Sequence, residues 1–364
     1  MKCKFFVVVL TLLFFVSALF FVSVSTTSAQ TTTRKTTTKK TTTRKTTRRK
    51  PVAAQADVPD FSIAPEYLEM LRKGGTIQPT IRFDLGGHSG LHAINKDCEM
   101  HIAGEPADKA LGDPNAFIIE PPNLCKVGPD GNPASMSSEW ATIFDGVKGE
   151  TCDVTGFPRI FTEHAKTGGD PNSNPLHMYE MHPTTQIKCA SQTLKFGSNY
   201  VRGFQGMTSI KPTSATSCIQ KRGLNVRFNS DEKMYEFQEV GGGTCGNFAT
   251  IELDNIPAQF IQDVGNGHSA IARESADGES TDSLKIYTLG GTDIDTFLAQ
   301  LKQSKKQQRK IVLGLFTYDY FAIQKVLFNP TTKVWSKPAD WTEVPFPLAF
   351  VVYGEMEEAP FEEE

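Results

Sequence analysis

A chain of 364 residues with 39% hydrophobic and 22% charged side chains has the make-up of an ordinary folded protein and is long enough for two domains. Its formal net charge of -3 hides a basic block near the front and an acidic tail at the back, so the average says little about partners. Outside the basic block no stripe of lysine and arginine is interleaved with aromatic residues, which excludes specific nucleic-acid binding as the expected function.

Met1-Lys2-Cys3-Lys4 is a short basic start, Phe5 to Val24 is an apolar run, and Thr27-Ser28-Ala29 offers a small-residue cleavage site before Gln30. These features predict a signal peptide over 1–29 and a secreted or cell-envelope protein. The apolar run is close to the ~20 residues that span a bilayer, so a membrane anchor left uncleaved is the alternative. Thr31 to Lys50 contains only threonine, lysine and arginine. This block has no apolar residue to bury and its like charges repel, so with the short linker behind it residues 30–60 are expected to form a disordered tether and linker. Its basic side chains suit an anionic envelope polymer or membrane surface, and a solvated spacer is the plainer reading.

Seven cysteines less Cys3 leave Cys98, Cys125, Cys152, Cys189, Cys218 and Cys245. An even number in a chain that looks exported predicts disulfides, and sequential pairing would close three local loops. No two of them have the C-x-x-C spacing of a zinc ribbon.

Residues 61–190 read as a β domain. Ala64 to Leu71 predicts a short helix stopped by Gly74-Gly75, and Thr80–Leu85, Glu99–Ala103, Ala116–Glu120 and Cys152–Phe157 are short strand-like runs between Gly- and Pro-rich turns. The stretch LHMYEMHPTTQIKC, Leu176 to Cys189, alternates as a strand does. It places Met178, Glu180 and His182 on one face and His177, Tyr179 and Met181 on the other. Glu99 and His101 repeat the Glu-x-His spacing. Residues 191–354 predict a second β-rich domain containing the hairpin LNVRF/KMYEF and one helix, opened by Thr292 or Asp293 and lined by Ile294, Phe297, Leu298 and Leu301. Ile311–Tyr320 and Ala322–Phe328 are the most apolar segments of this region and belong in its core. The acidic tail covers 355–364.

The residue types allow two kinds of function. If the two Glu-x-His strands are neighbours, Glu99, His101, Glu180 and His182 would have the ligand types of a zinc-like metal site, with His88, His92 or His177 able to complete or replace one of them. A metal-bound water and a spare glutamate would then support hydrolysis. The plainer account is that each acid and imidazole is hydrogen-bonded locally at a strand end. The other function is a binding module without chemistry or cofactor, on which Tyr179 and Trp140 could stack a ligand such as a glycan or a segment of an extracellular protein. No G-x-S-x-G elbow, phosphate loop or dinucleotide fingerprint is present.

DCEMHIA from Asp97, AFIIEPPNLC from Ala116, TCDVTGF from Thr151 and YEMHP from Tyr179 occur in an order that resembles a group of exported bacterial OB-like β-domains. These carry an acid-x-His strand early and a Glu-x-His-Pro strand late. The resemblance covers about Ile81 to Lys188 and implies a five-stranded OB-like barrel with no settled activity. The expectation is therefore a mainly β protein, an OB-like five-stranded barrel followed by a second β-rich domain with one helix. It would be exported, stapled by disulfides and non-catalytic, and the alternative is a zinc-type metal-dependent hydrolase.

Overall fold

The computed structural model describes residues 58–355 apart from 93–97, 112–115, 133–135, 166–168, 197–211, 243–244, 246–247, 255, 277–278 and 305–309. The expected leader, the tether as far as residue 57 and the acidic tail from residue 356 lie outside the described residues.

The described chain begins with β1 (Phe61–Ile63) and α1 (Pro65–Gly74). Pro65 suits a first turn, where N–H groups have no helical acceptor. Tyr67, Leu68 and Leu71 form the buried face, and Gly75 ends the helix at φ 57° with its N–H donating to the Leu71 carbonyl. Five strands follow: β2 (Thr80–His88), β3 (Ile102–Pro106), β4 (Ala116–Ile119), β5 (Thr151–Ile160) and β6 (His177–Lys188), with α2 (Trp140–Asp145) between β4 and β5. Along β2 exposed and buried residues alternate, so Ile81, Phe83 and Leu85 point inward from a sheet with one wet face. Antiparallel pairing runs β4–β3–β2–β5–β6, and parallel pairing of β4 with β6 closes the ring. This is the closed, OB-like five-stranded barrel that the resemblance implies. A short β7 (Thr193–Lys195) extends the β6 edge.

Next come α3 (Pro212–Lys221) and a hairpin of β8 (Gly223–Asn229) and β9 (Met234–Val240). At its turn the Asn229 side chain accepts from the N–H groups of Asp231 and Glu232, and Lys233 takes φ 57°. β1 pairs with β9, so the start of the described chain is tied to a segment beyond the first barrel. The remaining elements are β10 (Phe248–Asp254), β11 (Gln262–Asp263), β12 (Gly267–Ala276), β13 (Glu279–Leu289), α4 (Asp293–Ser304), β14 (Lys310–Tyr318) and α5 (Tyr320–Leu327). After them come β15 (Phe328–Asn329), β16 (Val334–Trp335), β17 (Thr342–Glu343) and β18 (Leu348–Glu355).

Here too a ring closes. Antiparallel pairing runs β13–β12–β10–β14–β18, and β13 pairs in parallel with β18. That is the order of the first barrel strand for strand, and in both a helix lies between the third and fourth strands of the ring in chain order. The second β-rich region is thus a topological repeat of the first, although the Glu-x-His motifs do not recur in it. The barrels share one continuous apolar core, into which Phe157 of β5 brings Tyr287 and Tyr320 at ring-centroid distances of 5.7 and 6.0 Å.

The expectation of one helix in the second region is corrected to three among the described residues, α3, α4 and α5. PTSATSCIQK is rich in Ser and Thr, which favour caps and turns over helix interiors. YFAIQKVL is too short and too apolar to tell helix from buried strand by its pattern. Asp319 decides the latter by accepting from the Phe321 N–H at 3.0 Å as an N-cap. Among the described residues no helix is long and apolar enough to cross a membrane.

Disulfides join Cys98 to Cys125, Cys152 to Cys189 and Cys218 to Cys245. The second ties the start of β5 to the residue after β6 across a sequence separation of 37. Replacing both of its cysteines by alanine is expected to lower the unfolding free energy by about 2–4 kcal/mol, because the unfolded chain regains the freedom of that loop. Urea unfolding of the otherwise oxidised protein measures it, and an unchanged midpoint would contradict the expectation.

Candidate functional site

The polar centre of the molecule lies where the first barrel meets β14 and β18 of the second. β6 supplies Glu180 and His182 from one face, while Tyr179 and Met181 face the other way into the first barrel, as alternation requires. Glu99 precedes β3 and is anchored beside the Cys98–Cys125 bridge, with its carbonyl accepting from the His92 N–H at 2.9 Å. Glu120 follows β4. Its N–H donates to the Met181 carbonyl at 3.1 Å and its carbonyl accepts from the Thr184 N–H at 3.0 Å, which clamps it to β6 on both sides of His182. Gly156 lets β5 approach this point, for a Cβ there would lie 2.6 Å from the Pro183 carbonyl oxygen.

His182 is the hub. Its Nδ1 lies 2.6 Å from Glu120 Oε2 and 3.3 Å from Glu180 Oε2, and its Nε2 lies 3.0 Å from Glu99 Oε1 and 3.1 Å from the Tyr353 hydroxyl. Tyr353 donates in turn to Glu99, and Phe248 sets its ring edge-on to the imidazole at 5.8 Å. Arg159 of β5 forms the second hub. It pairs with Glu180 through Nη1, reaches Glu163 at 3.1 Å through Nη2, and donates through Nε to the Phe316 carbonyl of the second barrel at 2.8 Å. Glu99, Glu120 and Glu180 are each 1% exposed and His182 and Arg159 0%, so this network is sealed.

Burial on this scale disfavours every charge, and the neighbours decide which survive. Burial pushes the His182 imidazolium down, but Glu120 and Glu99 outweigh it and hold its pKa well above the ordinary value. Burial pushes Glu180 up, and Arg159 together with His177 and His182 holds it well below the usual carboxylate range. Glu120, opposed by burial in the same way, is brought to about 2 by His182 and His101. The pKa of His177 is raised, with Glu180 overcoming burial, while that of His101 is lowered by burial. His182 and Arg159 are thus cations held among carboxylates.

Toward the surface the network opens into a cluster of imidazoles. His164 stacks on His177 at 4.9 Å, His92 meets His101 edge-on at 4.9 Å, and His101 lies 6.1 and 6.5 Å from His164 and His177. His101 Nε2 is 3.3 Å from Glu120 Oε1, and His177 Nε2 is 3.3 Å from Glu180 Oε1.

All four residues of the two Glu-x-His pairs therefore meet in one network. Glu99 and Glu180 touch His182 directly, and His101 reaches it through Glu120. Of the auxiliary histidines, His92 and His177 join the cluster, whereas His88 turns to Asp145 at 3.3 Å. Sequence reasoning missed Glu120, Arg159, Glu163, His164 and Tyr353 as members. Tyr179 and Trp140, expected as stacking surfaces for a ligand, are core residues instead. Tyr179 packs between Tyr67 and Phe117 and donates to the Ser62 carbonyl. Trp140 is fully buried with its indole N–H on the Leu124 carbonyl at 2.7 Å.

Among the described residues three groups bring metal-ligand atoms within 4.8 Å of one another: Glu99, Glu120 and His182; His164, His177 and Glu180; and Glu150, Cys152 and Cys189. The last is discounted because its sulfurs are joined as a disulfide. The first is closed, with both imidazole nitrogens of His182 already facing carboxylates. No family model matches the chain, and no curated protein or solved structure matches it either; what the structure itself shows is the closed five-stranded barrel and the disulfides.

Proposed function

We propose that this chain is an exported, non-catalytic binding protein of the extracellular space or cell envelope, built as two disulfide-stapled OB-like barrels. The three disulfides carry the reading, since such bonds persist in oxidising compartments and are rare in reducing ones. The leader-like segment Met1 to Ala29 and the resemblance to exported OB-like domains agree with it. The basic block Thr31 to Lys50 suits adhesion to an anionic envelope polymer or membrane surface, and the barrels suit an extracellular protein or glycan. A hydrolase working through the Glu-x-His pairs is disfavoured by access. A general base must come within about 3 Å of the proton it takes, and Glu99, Glu120 and Glu180 are buried beneath the second barrel. The network is better suited to fixing one barrel on the other.

Expression of the full chain in a secreting host tests this. The expected result is protein in the medium that begins at Gln30 and has no free thiol. A chain retained in the cytosol with its leader uncleaved and all seven cysteines titratable as thiols would sink the proposal.

A further inference from the structure

The imidazole cluster at the mouth of the network is not explained by a role in joining the barrels. Four of the seven histidines of the chain, His92, His101, His164 and His177, converge there from four separate segments. Crowded imidazoles repel when protonated, and when neutral each offers a lone pair that needs a donor or a cation. His177 shows which nitrogen is offered. Its Nδ1 lies 2.7 Å from the Pro175 carbonyl, which can only accept, so Nδ1 carries the proton. That leaves Nε2 turned toward Glu180 Oε1 at 3.3 Å without hydrogen-bond geometry. A ring N–H on a backbone carbonyl with the other nitrogen facing a carboxylate is how proteins orient a metal-ligating histidine. His101 Nδ1 is likewise buried with no hydrogen-bond partner. These rings are 2% and 6% exposed, so each unsatisfied nitrogen is withheld from bulk water.

We propose that His164, His177 and Glu180, backed by His101, form a binding site for a divalent transition-metal ion of the zinc type. The ligand atoms of the first three lie within 4.8 Å of one another. Two atoms bound to zinc at about 2.1 Å can be at most about 4.2 Å apart, so a small rotation of His164 closes the site. His164 can make it, because its side chain is 23% exposed, and the same opening admits the ion. Arg159 occupies Glu180 Oε2 and leaves Oε1 for the ion. Two imidazoles with one carboxylate select zinc, copper or nickel over calcium and magnesium, which seek oxygen ligands. The proposal supplies a ligand for the binding reading and is judged separately from it, because metal titration does not depend on where the chain is exported.

The test strips the full, oxidised chain with EDTA and titrates it with Zn²⁺, using Ca²⁺ as control, by calorimetry and by thermal melting. One Zn²⁺ per chain with a raised Tm, no saturable Ca²⁺ binding, and a weakening of about tenfold or more in His164→Ala are expected. His268→Ala, whose imidazole lies in the second barrel against Asp263 and Asp295, should bind as the unaltered chain does. Should His164→Ala fail to fold, His164→Gln is the substitute, since it keeps the volume and loses the ligand nitrogen. No saturable Zn²⁺ binding, or affinity that the His164 variants leave unchanged, overturns the proposal.

Discussion

Arg159→Met is expected to lower the unfolding free energy by about 3–5 kcal/mol, the range for breaking a buried ion pair from one side. The guanidinium is completely buried, and it pairs with Glu180, approaches Glu163 at 3.1 Å and satisfies the Phe316 carbonyl at 2.8 Å. Methionine replaces the volume and none of these bonds. Glu180 then keeps its charge beside only imidazoles, and a carbonyl of β14 loses its donor. The loss comes from the stranded partners and does not measure the worth of the pair, so removing both charges should hurt less than the sum of the single changes. Arg159→Met/Glu180→Gln is the discriminating variant, with urea unfolding of the oxidised chain as the measurement. A single-variant cost below about 1 kcal/mol, or strict additivity in the double, would show that the pair does not hold the barrels as described.

Much of the local structure was legible because it is written at short range. The alternation from Tyr179 to His182 separates Glu180 and His182 from Tyr179 and Met181 in β6. His177, expected on the Tyr179 face, turns instead to Glu180 at 3.3 Å, where the pairing of β4 with β6 shifts register between Ala116 and Phe117. The sequential disulfides and α4, with Ile294, Leu298 and Leu301 at helical spacing, are equally local signals. Ring closure is not local. The parallel pairing of β13 with β18 joins strands whose intervening chain holds two helices and β14, and no periodicity in either strand announces its partner. The same limit hid most of the site. Tyr353 lies 254 residues from Glu99, with which it bonds. Glu120 stands before Pro121-Pro122 and reads as turn punctuation. Arg159 did leave a trace, an arginine between Phe157, Ile160 and Phe161, where a charge survives only with buried partners. Tyr179 and Trp140 show the converse, since an aromatic on an alternating segment serves a core or a ligand equally well until its burial is known.

His182→Phe should reverse the pH response of the network. In the unaltered chain His182 and His177 have folded pKa values raised above the unfolded 6.5, so their contribution is complete below 6.5 and drains away as pH rises through the folded values. Glu120, brought to about 2, and Glu180, held well below 4.5, contribute fully above 4.5 and lose it as pH falls. His101, with a lowered value, opposes the first pair by losing its share as pH falls through 6.5, and Glu163, with a raised one, loses its share as pH rises through 4.5. The paired imidazoles and carboxylates therefore favour a weakly acidic window between 4.5 and 6.5. Phenylalanine fills the ring's place but takes the cation from between Glu120 and Glu99, at a cost of about 3–5 kcal/mol near neutrality. Glu120 then takes up a proton more readily, its pKa climbs above the unfolded value, and the variant becomes more stable as pH falls toward 4.5. The gap between the two proteins should accordingly widen from pH 4.5 to pH 6.5 when both are unfolded in urea with their disulfides intact. A gap that stays constant across those pH values would mean that His182 is neutral in the folded chain and that its carboxylate neighbours are satisfied by something other than its charge.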